Sequence, residues 1–164
     1  MDSADKEKMR RRQAGVSLTN AAFHILFCFC LLTTTSCAIP KIIVLNDPLS
    51  PKEHVNLGLA YEKRGEIEGA IREYKTAAKD IPTAYLYLGN IYYGKGEYPS
   101  AEKYYRKAIS KKPDLADSYN NLAWLLYVNG GDLKEAHRLA EKATELDPSN
   151  ENYRDTVQKL EEKM

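Results

Sequence analysis

The chain has 164 residues, 24 of them Lys or Arg and 23 Asp or Glu, so its formal net charge is +1. After the first 36 residues, 19 basic and 20 acidic side chains remain. A nearly neutral remainder lacks the basic surface that binds phosphates, so no nucleic-acid partner is expected. Because Cys28, Cys30 and Cys37 are the three cysteines of the chain, no disulfide or cysteine metal site is expected beyond them.

Residues 1–36 have the organisation of a secretory signal peptide. Three arginines, Arg10 to Arg12, precede a run from Ala21 to Leu32 that is apolar except for His24. This run is shorter than the about 20 residues that a membrane-spanning helix needs, although an uncleaved anchor stays an alternative. Because Met9 directly precedes the arginines, we expect the true start there.

The end of this segment resembles the signal of bacterial lipoproteins, in which the cysteine after the cleavage site is lipidated. Here Ser36 precedes Cys37, although Thr34 stands where that family usually has leucine. The resemblance implies a membrane anchor at Cys37 and a protein of the cell envelope that faces the periplasm. Ala38, rather than aspartate, follows the cysteine, which implies the outer membrane if the host is Gram-negative. Plain cleavage without lipidation is the alternative.

Residues 37–50 form a linker that is unusually apolar. A β-branched run, Ile42 to Leu45, lies between Pro40 and Pro48. We expect this run to pack against the first helices of the following domain. The alternatives are strand addition to a partner and proximity to the lipid surface.

Residues 51–164 contain a pattern that occurs three times. The first two copies have identical internal spacings, whereas the third has one extra residue near Gly130 and an alanine in place of a large aromatic. The matching positions are Leu57-Gly58, Tyr61, Gly65, Ala70, Tyr74, Ala77 and Pro82; Leu88-Gly89, Tyr92, Gly96, Ala101, Tyr105, Ala108 and Pro113; and Leu122-Ala123, Leu126, Gly130, Ala136, Ala140, Ala143 and Pro148.

Each conserved spacing has a physical reason within a pair of helices. Leu and Tyr three or four residues apart lie on one helix face, and Gly or Ala lets a second helix approach closely. The later glycines fit the left-handed residue that ends a helix. The pattern predicts helices near 51–64, 67–80, 83–94, 98–111, 115–128 and 133–146, and a last one near 150–163. Ser50 with Glu53, and Asp132 with Glu135, predict two capping boxes.

This pattern resembles the tetratricopeptide repeat (TPR) family. The resemblance implies an all-α fold, a right-handed α–α superhelix of three TPR helix pairs plus a C-terminal capping helix. The domain would cover residues 51–164, with repeats at 51–82, 83–114 and 115–148 and the cap at 149–164. Leu57 to Leu88 is shorter than Leu88 to Leu122, which predicts a loop three residues short after the first repeat.

The chain has no catalytic motif, so we expect no enzyme, cofactor or metal. The family resemblance implies a concave groove, formed by the first helix of each repeat, that binds a protein or peptide partner. The basic positions of the family's carboxylate clamp hold Val55, Leu86 and Tyr87, so a charged peptide end is not expected. Asparagine amides can pair with a peptide bond, and aromatic rings can hold apolar side chains. The candidate groove residues are Asn56, Leu59, Tyr87, Asn90, Tyr93, Asn120, Asn121, Trp124 and Tyr127; packing between repeats is the competing role for several of the tyrosines.

The leading hypothesis is therefore a protein–protein interaction module, a lipid-anchored envelope adaptor or assembly factor. Two alternatives stay open. The stretch from Asp47 through the first repeat resembles the TPR tails of papain-like envelope peptidases, which implies an accessory subunit of such a peptidase. A homo-oligomeric scaffold, in which exposed repeat edges self-associate, is the other.

Overall fold

The computed structural model of the protein describes residues 47–164, which form one unit of the chain. The expected signal peptide, the start at Met9, the lipidation of Cys37 and the packing of Ile42 to Leu45 lie outside the described residues. Within residues 47–164 the secondary structure consists of α-helices, and none of them is long and apolar enough to cross a membrane. The helices are α1 (Pro51–Lys63), α2 (Ile67–Ala77), α3 (Thr83–Gly94), α4 (Tyr98–Lys111), α5 (Ala116–Val128), α6 (Leu133–Leu146) and α7 (Glu151–Glu161).

The helices pack as consecutive pairs. The most extensive contacts join α1 with α2, α3 with α4, and α5 with α6, and each pair is linked by a short turn. Neighbouring pairs then contact each other through α2 with α3 and α4 with α5, while α7 covers α6 and part of α5. The predicted fold class, an all-α stack of three helix pairs with a terminal helix, is confirmed.

The turn inside each pair depends on one glycine. Gly65, Gly96 and Gly130 have φ angles of 75°, 73° and 69°, in the left-handed region that a side chain disfavours. These are the glycines that the repeat pattern places at the end of each first helix. Their conformation lets the chain reverse within a few residues and brings the second helix back against the first.

Helix capping agrees with the sequence at one site and departs from it at another. Ser50 and Glu53 form both halves of the predicted capping box at the start of α1. At α6 the Asp132 side chain accepts from the backbone N–H groups of Lys134 and Glu135, as expected. The Glu135 carboxylate, however, binds Arg106 of α4, with contacts of 2.7 and 3.2 Å. It therefore forms an ion pair between repeats instead of the predicted hydrogen bond to the backbone N–H of Asp132.

The predicted short loop after the first repeat is wrong in its location. Residues 78–82 connect α2 to α3, whereas the four residues 112–115 connect α4 to α5. Instead, α2 has 11 residues and ends at Ala77, not near 80, while α4 has 14. The reason is that α3 begins directly after Pro82, so the connection must be made from residues before this proline.

The core of each of the first two repeats is built on contact between a glycine and a tyrosine. Tyr74 and Tyr105 are almost fully buried, and their rings lie against Gly58 and Gly89 of the preceding helix. A Cβ atom added at either glycine would overlap the ring. In the third repeat Ala123 takes the place of the glycine and Ala140 that of the tyrosine, and both are fully buried. The methyl group of Ala123 therefore faces a smaller side chain than a tyrosine ring.

The last residues of the linker contact the first helix pair. His54, of which 4% is exposed, lies between Glu73 of α2 and Asp47, with Nδ1···Oε2 and Nε2···Oδ2 distances of 2.7 and 3.2 Å. The buried imidazole therefore connects residue 47 to both helices of the first repeat.

Substitution of Gly89 by alanine is expected to destabilise the protein by about 1–3 kcal/mol, because the added methyl group overlaps the buried Tyr105 ring. Urea unfolding followed by circular dichroism measures this loss. Gly94→Ala is the matched control, because Gly94 lies in the same helix and a Cβ atom there meets nothing within 4 Å. The Gly94→Ala variant should be no less stable than the wild type. Equal stability of the two variants would contradict the packing argument.

Candidate functional site

Four of the predicted groove residues meet at one pocket. Asn90 and Tyr93 of α3 face Asn121 and Trp124 of α5, and together with Tyr105 of α4 they line a pocket of about 210 Å³. The residues are brought together because α3 and α5, the first helices of successive repeats, are neighbours in the stack. The pocket therefore lies between the second and third repeats, on the face formed by first helices.

Hydrogen bonds fix the polar groups of this pocket. The Asn90 Oδ1 atom accepts from the Tyr105 hydroxyl at 3.0 Å and from Asn121 Nδ2 at 2.9 Å. The Trp124 Nε1–H group donates to the Tyr93 hydroxyl oxygen at 3.1 Å. These bonds join side chains of α3, α4 and α5 and hold the rings and amides in place before a ligand arrives.

The same bonds leave part of each amide unused. With its oxygen occupied, Asn90 keeps its NH₂ group as a donor, and Asn121 keeps its oxygen as an acceptor. If both amides were turned over, Asn121 would keep the donor and Asn90 the acceptor, so one of each remains in either orientation. The Tyr93 hydroxyl, which accepts from Trp124, also keeps its own proton to donate.

Tyr105 is a pocket residue that the sequence-based groove prediction missed. It belongs to the second helix of its repeat, but its ring passes against Gly89 and its hydroxyl reaches Asn90 on the first helix. Burial raises the pKa of Tyr105, so the hydroxyl stays protonated and neutral across the physiological range. The signal was present in the repeat pattern, which places this tyrosine opposite the Leu-Gly pair.

The other candidate groove residues take different positions. Tyr127 stacks on Trp124, with ring centroids 5.2 Å apart, and so extends the aromatic surface beyond the pocket. Tyr87 stacks on Tyr74 at 5.1 Å, and Leu59 packs against the core of the first repeat, so both serve packing. Asn56 is exposed on α1.

Asn120 does not join its neighbour Asn121 at the pocket. The two residues are successive on a helix, so their side chains project about 100° apart. The Asn120 Oδ1 atom is buried without a hydrogen-bond partner among the described residues. Its assignment to the groove finds no support in the pocket lining.

The C-terminal segment, α7 and the residues after it, adds two amines that were not predicted from the sequence to lie at the groove. Lys159 Nζ lies 5.3 Å from the centre of the Trp124 ring, and Lys163 Nζ lies 4.3 Å from that of Tyr127. Lys163 also donates to the Tyr127 carbonyl at 3.2 Å, near the end of α5, while Lys159 pairs with Asp155. The aromatic surface is thus bordered on this side by two amines, one of which is paired with an acidic residue.

Two acidic groups on the first helices are engaged within the protein. The Glu62 carboxylate accepts from the Tyr74 hydroxyl, and Asp117 accepts from the Tyr153 hydroxyl at 2.6 Å. Within residues 47–164 no group of three His, Cys, Asp or Glu side chains is placed to hold a metal ion. The residues that line the pocket are thus neutral amides, hydroxyls and aromatic rings.

Comparison with known proteins finds a family model that matches part of the chain. Residues 80–149, which run from before α3 to after α6, match the tetratricopeptide repeat family. The chain is 32% identical to protein O-mannosyl-transferase TMTC2 of Homo sapiens over 64% of its length. It is 41% identical to Hsp70-Hsp90 organizing protein 3 of Arabidopsis thaliana over 37% of its length. The matched region spans 14% and 11% of these two relatives, respectively.

A solved structure shows the same fold at low sequence identity. The first TPR of Spaghetti (RPAP3), bound to the HSP90 peptide SRMEEVD, superimposes with a TM-score of 0.62. The match covers 70% of this chain and 94% of that one, with 20% identity. At this identity the likeness establishes the arrangement of the helices.

Replacing Tyr105 by phenylalanine is expected to lower the free energy of unfolding by about 1 kcal/mol, because the ring remains but its hydrogen bond to Asn90 is lost. Chemical denaturation measures the change. Tyr119→Phe is the control, since that hydroxyl makes no hydrogen bond to another described residue, and it should leave stability unaltered within error. A Tyr105→Phe variant as stable as the control would mean that the bond contributes nothing.

Proposed function

We propose that this chain, which carries tetratricopeptide repeats, is a protein-interaction module that holds an extended segment of a partner protein against the pocket between α3 and α5. The observation that carries this proposal is the pocket itself, where neutral hydrogen-bonding groups and aromatic rings converge and are already held in position. Such preorganisation lowers the entropy lost on binding, since few side chains need to be ordered when the ligand arrives.

The unused hydrogen-bonding groups match a peptide backbone. A peptide unit presents one C=O acceptor and one N–H donor, and the Asn90–Asn121 pair offers one donor and one acceptor. The Trp124 and Tyr93 rings beside them supply apolar surface for the side chains of the same segment. An extended, largely uncharged segment is therefore the ligand that these groups fit best.

A charged peptide end fits this face less well. The positions that hold basic residues in the carboxylate clamp of related domains are here Val55, Leu86 and Tyr87. None of these side chains carries a positive charge for a terminal carboxylate, and Leu86 is in addition only 5% exposed. The peptide recognised by the Spaghetti domain is for these reasons not proposed as a ligand of this chain.

Trp124→Ala is expected to weaken binding of a selected peptide by roughly 30-fold, the effect of losing an aromatic residue that contributes about 2 kcal/mol. Peptides are selected from a random library on the full chain, and their dissociation constants are measured by calorimetry. Tyr119→Ala, which removes a half-buried ring outside the pocket, serves as control and should bind with the wild-type constant. A library that yields no peptide competing at Trp124 would refute the proposal.

We further propose that the module acts at a membrane surface, as a lipid-anchored adaptor of the cell envelope. The support is in the sequence: Arg10 to Arg12, the apolar run from Ala21 to Leu32, and Cys37 directly after Ser36. A module held in this way would collect envelope proteins and use its groove to position them. Its proposed role is assembly rather than catalysis.

Metabolic labelling with a palmitate analogue tests the anchor. Wild-type chain should incorporate the label and sediment with membranes, and Cys37→Ala should lose the label. Cys30→Ala is the control, because it removes another cysteine of the same segment and should label normally. Equal labelling of the Cys37→Ala variant and the wild type would exclude lipidation at that residue.

A further inference from the structure

Three repeats leave two places where successive repeats meet on the first-helix side, between α1 and α3 (the first gap) and between α3 and α5 (the second gap). The two gaps differ in the residue that lies over the buried tyrosine. In the first gap, Tyr87 of α3 stacks on Tyr74, with ring centroids 5.1 Å apart and an interplanar angle of 26°. In the second gap, Tyr105 is the equivalent of Tyr74, since each follows the repeat alanine by four residues. The residue equivalent to Tyr87 there is Asn121, because each directly precedes the conserved leucine of its helix.

This difference in side-chain size accounts for the pocket. The Tyr105 side chain is only 2% exposed, but Asn121 is shorter than Tyr87, and a space of about 210 Å³ is left among the lining residues. A dry cavity of about 150 Å³ in another protein is large enough to bind benzene. The space beside Tyr105 is thus large enough for a six-membered ring.

We propose that this pocket binds an aromatic side chain of the partner segment, in the place that corresponds to the Tyr87 ring of the first gap. The inference rests on the proposed function and specifies its ligand: a peptide with one anchoring Phe or Tyr. The first gap shows, within the same chain, which group this arrangement of helices accommodates.

The walls of the pocket favour an aromatic group over a charged one. Tyr93 and Trp124 contribute two partly buried rings, and aromatic pairs attract each other at centroid distances of about 4.5–7 Å. A ligand tyrosine can also bond the unused donor or acceptor of the Asn90–Asn121 pair. The Lys159 ammonium group already lies over the Trp124 ring, in a position that a cationic side chain of the ligand would take.

Residue 121 is then the specificity determinant of the groove. A tyrosine at this position would fill the pocket from within, as Tyr87 does in the first gap, and would exclude the ligand ring. The reverse change at Tyr87 would uncover Tyr74 and create a second aromatic site between α1 and α3. The residues at positions 87 and 121 would thus determine how many aromatic side chains of a ligand the groove can bind.

Nuclear magnetic resonance on the full chain tests the inference, because Trp124 is its only tryptophan and gives one indole N–H signal. The probes are N-acetyl-tyrosine amide, N-acetyl-phenylalanine amide and N-acetyl-leucine amide. Both aromatic amides should shift the signal saturably, with dissociation constants on the order of 1 mM. The leucine amide should bind at least several-fold more weakly.

The Asn121→Tyr variant should keep the wild-type circular dichroism spectrum and lose the saturable shift. Asn56→Tyr is the matched control, because it makes the same change at the equivalent exposed position of the first repeat. Equal binding of the leucine and aromatic amides, retained binding in Asn121→Tyr, or no saturable shift with either aromatic amide would overturn the inference.

If the Asn121→Tyr variant fails to fold, Tyr87→Asn decides, since it should add a second saturable site that shifts α2 signals; without one, the inference falls. The outcomes also separate the two proposals. Selected peptides that lack aromatic residues but compete at Trp124 would leave the proposed function standing and remove the aromatic anchor. A chain that selects no peptide at this face would remove both.

Discussion

The close contact between a glycine of one helix and a tyrosine of the next is the constraint on which the first two repeats depend. Gly58 and Gly89 have no Cβ, so the rings of Tyr74 and Tyr105 can lie against the helix backbone and become almost fully buried. This contact sets the distance between the helices of a pair. Leucine and alanine side chains fill the remaining core at that distance.

The same contact also carries polar groups from the core to the surface. Because each tyrosine ring passes beside a glycine, its hydroxyl emerges on the first-helix side and bonds Glu62 in the first repeat and Asn90 in the second. Packing and the candidate site therefore share one residue in the second repeat. Removing the whole Tyr105 side chain would change both the core packing and the pocket. The role of the hydroxyl therefore has to be tested by a substitution that keeps the ring.

Single side-chain differences between the repeats make the two gaps between them different in shape and lining. Tyr87 closes the first gap, Asn121 leaves the second open, and the third repeat replaces the glycine and tyrosine with Ala123 and Ala140. In the third repeat the volumes of the facing residues change together, since alanine replaces the tyrosine where a second alanine replaces the glycine. In this way a repeated architecture presents a pocket between its second and third repeats without an inserted element.

The sequence by itself determined the elements of this fold and most of their bounds. Local signals suffice for that: the periodic Leu and Tyr positions, the Ser50–Glu53 cap, and Gly65, Gly96 and Gly130, which the turns hold at positive φ. It also indicates which helices line the groove, and it predicts Asn90, Tyr93, Asn121 and Trp124 as groove residues. Tertiary structure decided the rest, because packing depends on residues distant along the chain. In the folded protein α2 ends at Ala77, and Glu135 pairs with Arg106 instead of completing the cap of its own helix. Tyr87 packs on Tyr74, and Tyr105 lines the pocket.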